Sequence, residues 1–296
     1  MKAGFAALIG RPNAGKSTLL NRLVGQKLAI VSDKPQTTRH RILGARTSSE
    51  SQILFIDTPG IHKPQHRMNV RMVEAATSAL TDVNVVVLIV DASAPPGAGD
   101  RFILDRLAAA KTPAILALNK VDAIKKTDLL PLMESYGHAL WFRAIVPISA
   151  LTGEGVDALV REIESALPEG AAAFPSDYLT DQTERTLTSE LIREKVLLNT
   201  RDELPHATAV VIDQFTEPTK DDHLHRIHAS ILVDRASQKA IVLGKGGSMI
   251  KKIGTEARLD LEQMLGGRVY LDLHVKVRED WRDDTRLLDE IGVRGR

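Results

Sequence analysis

The sequence predicts a larger α/β domain, with a mostly parallel sheet covered by helices on both faces, followed by a smaller α+β domain. Three observations carry this prediction. In the first half, short apolar runs alternate with stretches of helical period, which is typical of a parallel sheet that is buried on both faces. A Pro- and Ala-bearing stretch at residues 169–181 then marks a boundary. Beyond it, strand-like segments surround a glycine-rich turn.

Five apolar runs predict the strands of the first domain, at residues 5–9, 53–56, 85–90, 114–118 and 145–148. Helical stretches follow them, at residues 17–24, 68–80, 100–109, 128–140 and 156–167. Because ligands of such sheets bind where the carboxyl ends of strands meet loops, functional residues are expected directly after each strand.

The boundary assigns residues 1–170 to the first domain, 171–188 to a linker and 189–296 to the second domain. The second domain begins with a predicted helix at 189–199, followed by strand candidates at 207–215, 226–235 and 239–243. A glycine-rich turn, a helix at 251–265 and a strand at 269–277 complete it.

Composition excludes several classes of protein. The 39 Lys and Arg residues nearly balance 38 Asp and Glu residues, giving a net charge of +1, so any basic surface must be local. The absence of cysteine excludes disulfides, thiolate zinc sites and cysteine nucleophiles. The densest apolar stretch, residues 83–90, is far too short to cross a bilayer, and the N-terminus lacks the length of a signal peptide. We therefore expect a soluble, cytoplasmic protein.

Residues 10–17 form a complete G-x-x-x-x-G-K-S motif between the first strand and the first helix. Its glycines allow close backbone approach, and N–H groups at the start of the helix form a cradle for phosphate oxygens. Lys16 is expected to reach the β- and γ-phosphates, and Ser17 to ligate Mg²⁺. The predicted nucleotide contacts here are Gly10, Asn13, Ala14, Gly15, Lys16, Ser17 and Thr18.

Three further strand ends complete a nucleotide site. Asp57-Thr58-Pro59-Gly60 follows the second run, where Asp57 can hold Mg²⁺ through water and the Gly60 N–H can sense a γ-phosphate. Alone, that string is equally well a turn. After the fourth run, Asp122 can accept from guanine N1–H and the 2-amino group, Asn119 can donate to N7, and Lys120 can lie over the base. Ser149-Ala150-Leu151 follows the fifth run and can present an N–H to guanine O6. The order of these elements predicts a guanine-nucleotide site.

The sequence lacks the glutamine that orients the attacking water in many GTPases. At that position this chain has Ile61, so we expect slow unassisted turnover. His62, one residue further on, is interpreted as a surface-loop histidine, with a general base as the alternative. One threonine of the polar segment 33–41 should complete the Mg²⁺ shell, with Thr38 favoured over Thr37. The predicted catalytic residues are Lys16, Thr38 and Gly60, and the predicted metal ligands are Ser17, Thr38 and Asp57.

A G-x-x-G turn, Gly244-Lys245-Gly246-Gly247, is predicted to join a strand to a helix in the second domain. Such a turn lets a nucleic-acid backbone come close. Residues 235–258 hold six basic residues and one acidic residue, a local surplus of +5. We therefore predict RNA binding through Gly244, Lys245, Gly246, Gly247, Lys251 and Lys252. The nearby His223, His225 and His228 are interpreted as a solvated turn before a strand rather than a metal cluster.

The ordered nucleotide elements, the segment Gln36-Thr37-Thr38-Arg39-His40 and the C-terminal G-x-x-G turn together resemble the bacterial Era family of GTPases. The resemblance runs through nearly the whole chain and implies a P-loop GTPase domain followed by a type II KH domain. It also implies GTP-controlled binding of 16S ribosomal RNA near its 3′ end during assembly of the small (30S) ribosomal subunit. Further implications are K⁺ beside the phosphates at Asn13 and weak peripheral association with the inner face of the cell membrane. We expect a monomer, since nothing in the sequence demands an oligomer.

Two alternatives stay open on the sequence. One is an RNA scaffold that binds nucleotide only for structural support, an alternative that Ile61 leaves open. A measurement of GTP turnover with saturating Mg²⁺, K⁺ and RNA separates this scaffold from a GTPase. The other is a GTPase that acts on a protein partner, with the G-x-x-G turn as packing. Absent or salt-insensitive RNA binding would favour the second alternative.

Overall fold

The computed structural model describes residues 1–34, 37–60, 67–78, 82–110, 112–138, 141–201, 204–220 and 222–293. The chain forms two compact units that divide mainly between residues 181 and 182. Among the described residues, no helix has both the length and the apolar character that a membrane span needs.

The first unit is built on a six-stranded sheet with strand order β2-β3-β1-β4-β5-β6. Its strands are β1 (Lys2–Ile9), β2 (Ile42–Thr47), β3 (Ser51–Asp57), β4 (Val85–Asp91), β5 (Ala114–Asn119) and β6 (Ala144–Pro147). All neighbouring pairs are parallel except β2 and β3, which are antiparallel. The helices are α1 (Lys16–Val24), α2 (Arg67–Ser78), α3 (Ala98–Ala110), α4 (Lys126–Gly137) and α5 (Val156–Ala166).

Both faces of this sheet are buried, as the continuous apolar runs predict. On one face, Leu8 and Val87 pack in a cluster with residues of α1 and α5. On the other, Ile9 and Val86 pack with residues of α3 and α4. Each fully buried Leu, Ile or Val side chain stabilises the fold by about 1.5–3 kcal/mol. The five predicted strands and the α/β class are confirmed, and the carboxyl ends of β1, β3, β4 and β5 meet at one edge.

Strand β2 is an addition to the prediction. Its sequence, ILGART, contains no continuous apolar run. Gly44 sits in its centre because α1 packs there: a Cβ at this position would lie 2.8 Å from Val24 Cγ2. The close packing of α1 therefore requires glycine at position 44, a residue type that does not predict a strand.

Residues 168–181, the last part of the first unit, are hydrogen-bonded to its sheet. The N–H of Ala3 donates to Pro168 O over 3.1 Å, and the N–H of Ala45 donates to Leu179 O over 2.8 Å. The side chain of Gln52 accepts from the N–H groups of Ala173 and Phe174. We call residues 168–181 the strap. Most of the predicted linker, residues 171–181, thus belongs to the strap and is bonded to the first sheet.

The second unit contains a three-stranded sheet with strand order β7-β8-β9. Its elements are α6 (Glu184–Asn199), β7 (Thr208–Thr216), β8 (Leu224–Val233), α7 (Ala236–Leu243), α8 (Ser248–Leu265), β9 (Arg268–Val277) and α9 (Thr285–Glu290). β7 and β8 are antiparallel, whereas β8 and β9 are parallel. Ile192 of α6, Ile253 of α8 and Ile231 of β8 lie in one buried cluster.

The prediction of a strand at residues 239–243 is wrong, because these residues form the second half of α7. The run Ile241-Val242-Leu243 looks like a strand, but only Val242 is buried and Ile241 is 54% exposed. The helix start is fixed by Gln238, whose Oε1 accepts from the N–H groups of Asp234 and Arg235 over 2.9 and 3.1 Å. The glycine-rich turn therefore joins two helices, not a strand and a helix.

Candidate functional site

The G-K-S loop connects β1 to α1, as predicted. Gly15 has φ +97° and is the residue before the helix, with no side-chain cap over the first turn, so backbone N–H groups face outward at the positive end of the helix dipole. A Cβ on Gly15 would lie 2.1 Å from Asn119 Nδ2, and one on Gly10 would lie 2.3 Å from Ile89 O. Both glycines are thus sterically required, and the loop they form is suited to an anion.

Lys16 is buried above this loop. Its Nζ donates to Gly10 O over 3.1 Å and to Arg11 O over 2.9 Å. Burial lowers the pKa of Lys16, while the nearby charge of Asp57 opposes that shift. The ammonium group is therefore held within the loop, beside the backbone N–H groups that an anion would contact.

Three oxygen-bearing side chains converge next to Lys16. Ser17 Oγ lies 2.7 Å from Thr38 Oγ1 and donates to Asp57 Oδ2 over 2.8 Å. Burial raises the pKa of Asp57 to about 6, although the charge of Lys16 and the hydroxyl of Ser17 lower it. Among the described residues, no donor reaches the buried Asp57 Oδ1. Hydroxyl and carboxylate oxygens are ligands that Mg²⁺ prefers, so this donor set fits the predicted ion.

The Asp57-Thr58-Pro59-Gly60 string lies beside the G-K-S loop and lines the cleft that holds Lys16. Thr58 Oγ1 donates to Leu8 O over 3.1 Å, which anchors the string to β1. A Cβ on Gly60 would lie 2.8 Å from Pro12 N, so Gly60 is in close contact with the G-K-S loop. The cleft has a volume of about 370 Å³ and is lined by residues that include Lys16, Thr38, Gly60 and Lys120. Gln36, Ile61 and His62 lie outside the described residues.

Asn119 links two loops of the site. Its Nδ2 donates to Ala14 O in the G-K-S loop, and its Oδ1 accepts from the N–H of Ala150, both over 2.8 Å. Asn119 thereby fixes residues 149–151 against the phosphate loop. The sequence predicts only a contact between Asn119 and the base, and the link between the two loops is a second task. The link uses one amide hydrogen of Asn119 and leaves the other for a ligand.

Lys120 and Asp122 follow at the end of β5. Lys120 has φ +66°, and its Nζ lies 2.5 Å from Asp91 Oδ2 at the end of β4. Burial raises the pKa of Asp91, but hydrogen bonds from Lys120 and Ser93 outweigh it, so that the pKa is lowered overall. Asp122 is exposed in a 3₁₀ turn, Val121–Ala123. Asp91 was missed from the sequence, although its position at a strand end was a usable signal.

Residues 149–151 form a compact turn. Ser149 is buried, its N–H donates to Glu154 O over 2.9 Å, and its Oγ accepts from the N–H of Thr152 over 3.0 Å. Ala150 is also buried, whereas Leu151 is 71% exposed. Arg22 of α1, which the sequence did not single out, donates to the carbonyl groups of Ala150 and Leu151.

In the second unit, the G-x-x-G turn joins α7 to α8. Gly244, Gly246 and Gly247 have φ of +70°, +60° and +79°, values that L side chains rarely adopt. A Cβ on Gly246 or Gly247 would meet nothing within 4 Å, so the surface in front of the turn is open. Lys245, Lys251 and Lys252 are all exposed, and the structure gathers them at this turn and the first turn of α8.

The prediction of a solvated turn before a strand is confirmed for His223, which is exposed and precedes β8, but it is wrong for His225 and His228, which lie within β8. His225 is buried, and His228 Nδ1 lies 3.2 Å from Asp272 Oδ2 of β9. Within the part of the chain that the structure describes, no group of three His, Asp or Glu side chains is arranged to hold a metal ion.

Comparison with known proteins matches residues 5–120 to a family described as a 50S ribosome-binding GTPase, and residues 203–282 to the KH domain. The GTPase Era of Geobacter metallireducens is 51% identical over 291 residues, which is 98% of this chain and 97% of that protein. The chain belongs to the Era GTPase family.

Two solved structures of the Era family are similar to this chain over nearly its whole length. One is a single-residue variant of Aquifex aeolicus Era bound to GDP·AlF4⁻, and the other is Era in complex with MgGDPNP and nucleotides 1506–1542 of 16S ribosomal RNA. Each is 40% identical, has a TM-score of 0.95 and covers 99% of both chains. The predicted fold, a P-loop GTPase domain followed by a KH domain, is confirmed by these matches.

Proposed function

We propose that this member of the Era family hydrolyses GTP to GDP and phosphate, and uses the nucleotide state to control binding of the 3′ end of 16S ribosomal RNA in 30S subunit assembly. The observation that carries the proposal is the convergence of Ser17, Thr38 and Asp57 beside Lys16, in a chain that also presents an open G-x-x-G turn. The Era structures with MgGDPNP plus 16S nucleotides and with GDP·AlF4⁻ support it.

In this proposal, the G-K-S loop and Lys16 bind the phosphates of GTP through backbone N–H groups and one ammonium group. Ser17 and Thr38 supply hydroxyl ligands to Mg²⁺, and Asp57 holds the ion's shell from β3. An ion held by these residues would neutralise charge that develops on the phosphate oxygens. Gly60, which lies against Pro12, donates its N–H to the γ-phosphate.

The base is held by the loops after β5 and β6. Asp122 accepts from the guanine N1–H and 2-amino groups, and Lys120 packs its stem on the ring. Asn119 donates its second amide hydrogen to N7. The N–H of Ser149 and that of Ala150 already donate to Glu154 O and Asn119 Oδ1, so we assign the contact with O6 to the N–H of Leu151.

Two further features of this site belong to the proposal, the first from the family resemblance and the second from the sequence. We propose that K⁺ binds beside the phosphates at Asn13, whose Nδ2 donates to Asp33 O over 2.7 Å in the segment that leads to Thr38. We also propose that turnover is slow without a partner, since Ile61 supplies no polar atom to orient water.

The second unit supplies the RNA surface. Exposed Lys245, Lys251 and Lys252 approach phosphates, and the turn formed by Gly244, Gly246 and Gly247 admits the RNA backbone. GTP is expected to act through the segments 33–41 and 60–67, of which residues 35–36 and 61–66 lie outside the described part of the chain. The expected change in RNA affinity is about 5- to 150-fold, which corresponds to ~1–3 kcal/mol of coupling. Several further expectations stay predictions. They are the domain bounds, with residues 1–170 as the nucleotide domain and 189–296 as the KH domain. They also include a monomeric state, a cytoplasmic location and weak peripheral association with the membrane.

The deciding experiment measures binding of a labelled 16S 3′-end fragment to protein loaded with a GTP analogue or with GDP. We expect tighter binding in the GTP-analogue state, and loss of binding when Gly246 and Gly247 are both changed to Asp, with GTP affinity retained. Equal RNA affinity in both states would overturn the coupling. Absence of RNA binding with intact GTP turnover would point instead to a GTPase that acts on a protein partner.

A further inference from the structure

The side chain of Arg22 bridges α1 to the turn at residues 149–151. Its Nε donates to Ala150 O over 2.7 Å, and its Nη2 donates to Leu151 O. The planar guanidinium group thus holds two consecutive carbonyl groups of a turn that lies 128 residues further along the chain. A single ammonium group does not reproduce this paired geometry.

Holding Ala150 O also fixes the direction of the Leu151 N–H. The two groups belong to one peptide unit, and in a trans peptide the C=O and N–H bonds point in opposite directions. With its carbonyl oxygen drawn to Arg22, this peptide presents the Leu151 N–H on the side away from α1. Among the described residues, that N–H has no hydrogen-bond acceptor, whereas those of Ser149, Ala150 and Thr152 each have one.

The turn is shaped to receive the guanidinium group. Gly153 has φ +97°, and a Cβ there would lie 2.9 Å from Arg22 Nη1. The N–H of Gly153 donates to Ser149 O over 2.8 Å, which closes the turn around the arginine. From the other side, Asn119 fixes the N–H of Ala150.

We propose that Arg22 is a positioning residue for base selection: by holding Ala150 O and Leu151 O, it aims the Leu151 N–H at the 6-oxygen of guanine. This inference rests on the proposed function, because it deepens the assignment of residues 149–151 to the base. It gives α1 two tasks, since its first turn faces the phosphates and its second turn fixes the loop that contacts the base.

A purely structural role would stabilise the turn without favouring any base. The two roles are separated by nucleotides that differ at the 6-position. GDP and inosine diphosphate both carry a 6-oxygen, and only GDP carries the 2-amino group. The diphosphate of 2-aminopurine riboside keeps the amino group but has no 6-oxygen.

The test measures affinity of the full chain for these three nucleotides, in the wild type and in Arg22→Ala, with Arg22→Lys as a milder variant that keeps the charge. Arg143→Ala is the matched control, because Arg143 also donates to a backbone carbonyl of the first unit, Ser165 O, over 3.0 Å. We expect Arg22→Ala to lose about tenfold in affinity for GDP and for inosine diphosphate, as for one lost hydrogen bond. Its affinity for the 2-aminopurine nucleotide should change less than about twofold, and Arg143→Ala should change none of the three.

An equal loss for all three nucleotides, or no loss for any, would overturn the proposal. If Arg22→Ala does not fold, the same pattern is expected in Arg22→Lys at reduced size, and an unchanged preference there would also contradict it. The wild-type measurements test the underlying function separately: failure to bind GDP, or equal binding of GDP and the 2-aminopurine nucleotide, would overturn the base site itself.

Discussion

The hydroxyl group of Ser17, at the start of α1, donates to the carboxylate of Asp57, at the end of β3, across 2.8 Å. The two residues are 40 positions apart and meet because β1 and β3 are parallel neighbours. Their elements therefore carry the phosphate loop and the metal-side string to the same edge of the sheet. This pairing places a hydroxyl oxygen and a carboxylate oxygen beside Lys16.

Replacement of Asp57 by Asn tests the carboxylate of this cluster. The amide has nearly the same shape but carries no charge, so Mg²⁺ loses its only proposed acidic protein partner. We expect affinity for a GTP analogue in Mg²⁺ to fall at least about tenfold, since a hydrogen bond to a charged group contributes about 1.5–3 kcal/mol. Affinity for GDP in the presence of a chelator should change much less. Titration calorimetry in both conditions is the measurement, with the exposed Asp105→Asn of α3 as control.

Replacement of Asn119 by Ala tests the link between the two loops. The change leaves Ala14 O and the N–H of Ala150 without their partner, in buried surroundings. We expect the free energy of unfolding to fall by about 2–4 kcal/mol and nucleotide affinity to fall with it. Urea unfolding and nucleotide titration check the two effects. Full stability with weakened binding would show that Asn119 serves the base only.

Replacement of Gln52 by Ala tests the hydrogen bonds that join the strap to the first sheet, away from the nucleotide site. Gln52 is fully buried, and its side chain bonds the backbone of Ala173 and Phe174 and the hydroxyl of Thr47. Gln52→Ala leaves these backbone groups unpaired, so we expect a loss of about 2–4 kcal/mol in unfolding free energy. Nucleotide affinity at a temperature where the variant is folded should match the wild type. A stability equal to that of the wild type would mean that water replaces the glutamine without penalty.

Lys251 tests the RNA surface. An exposed lysine near RNA phosphates contributes through released counterions, so its removal should lower the salt dependence of binding. For Lys251→Ala we expect the slope of log K against log salt to decrease in magnitude by about 0.7 for single-stranded RNA. Lys220→Ala, which removes an exposed lysine from the β7–β8 connection, is the control. The idea fails if the two variants have the same slope.

Elements with a continuous signal were predictable from the sequence. The runs at β1, β3, β4 and β5 are recognisable because both faces of the sheet are buried, and the residues that follow them carry the site. The G-K-S motif predicts the role of Lys16, and the position of Asp57 at a strand end predicts its place beside the metal; the structure brings the two residues together.

Features that depend on tertiary contacts were not predictable. Gly44 gives no sequence signal for β2, because the reason for a glycine there is the close packing of α1. Arg22 is an ordinary helix residue in the sequence, and its role depends on its contact with residues 149–151 in the folded protein. The run at residues 241–243 predicts a strand but forms a helix, because local apolar character does not distinguish a short buried strand from a short helix. The capping bonds of Gln238, which decide the case, have no clear mark in the sequence.

The strap also determines how the six-stranded sheet ends. β2 is an outermost strand, and it has its N–H groups of Leu43 and Ala45 satisfied by Asp181 Oδ1 and Leu179 O, while Leu43 O accepts from the hydroxyl of Thr180. At the opposite border, β6 is only four residues long and ends at Pro147, which has no N–H to offer. Neither border presents a long row of unpaired backbone groups, so the sheet is a poor template for strand addition by another chain and is protected against aggregation.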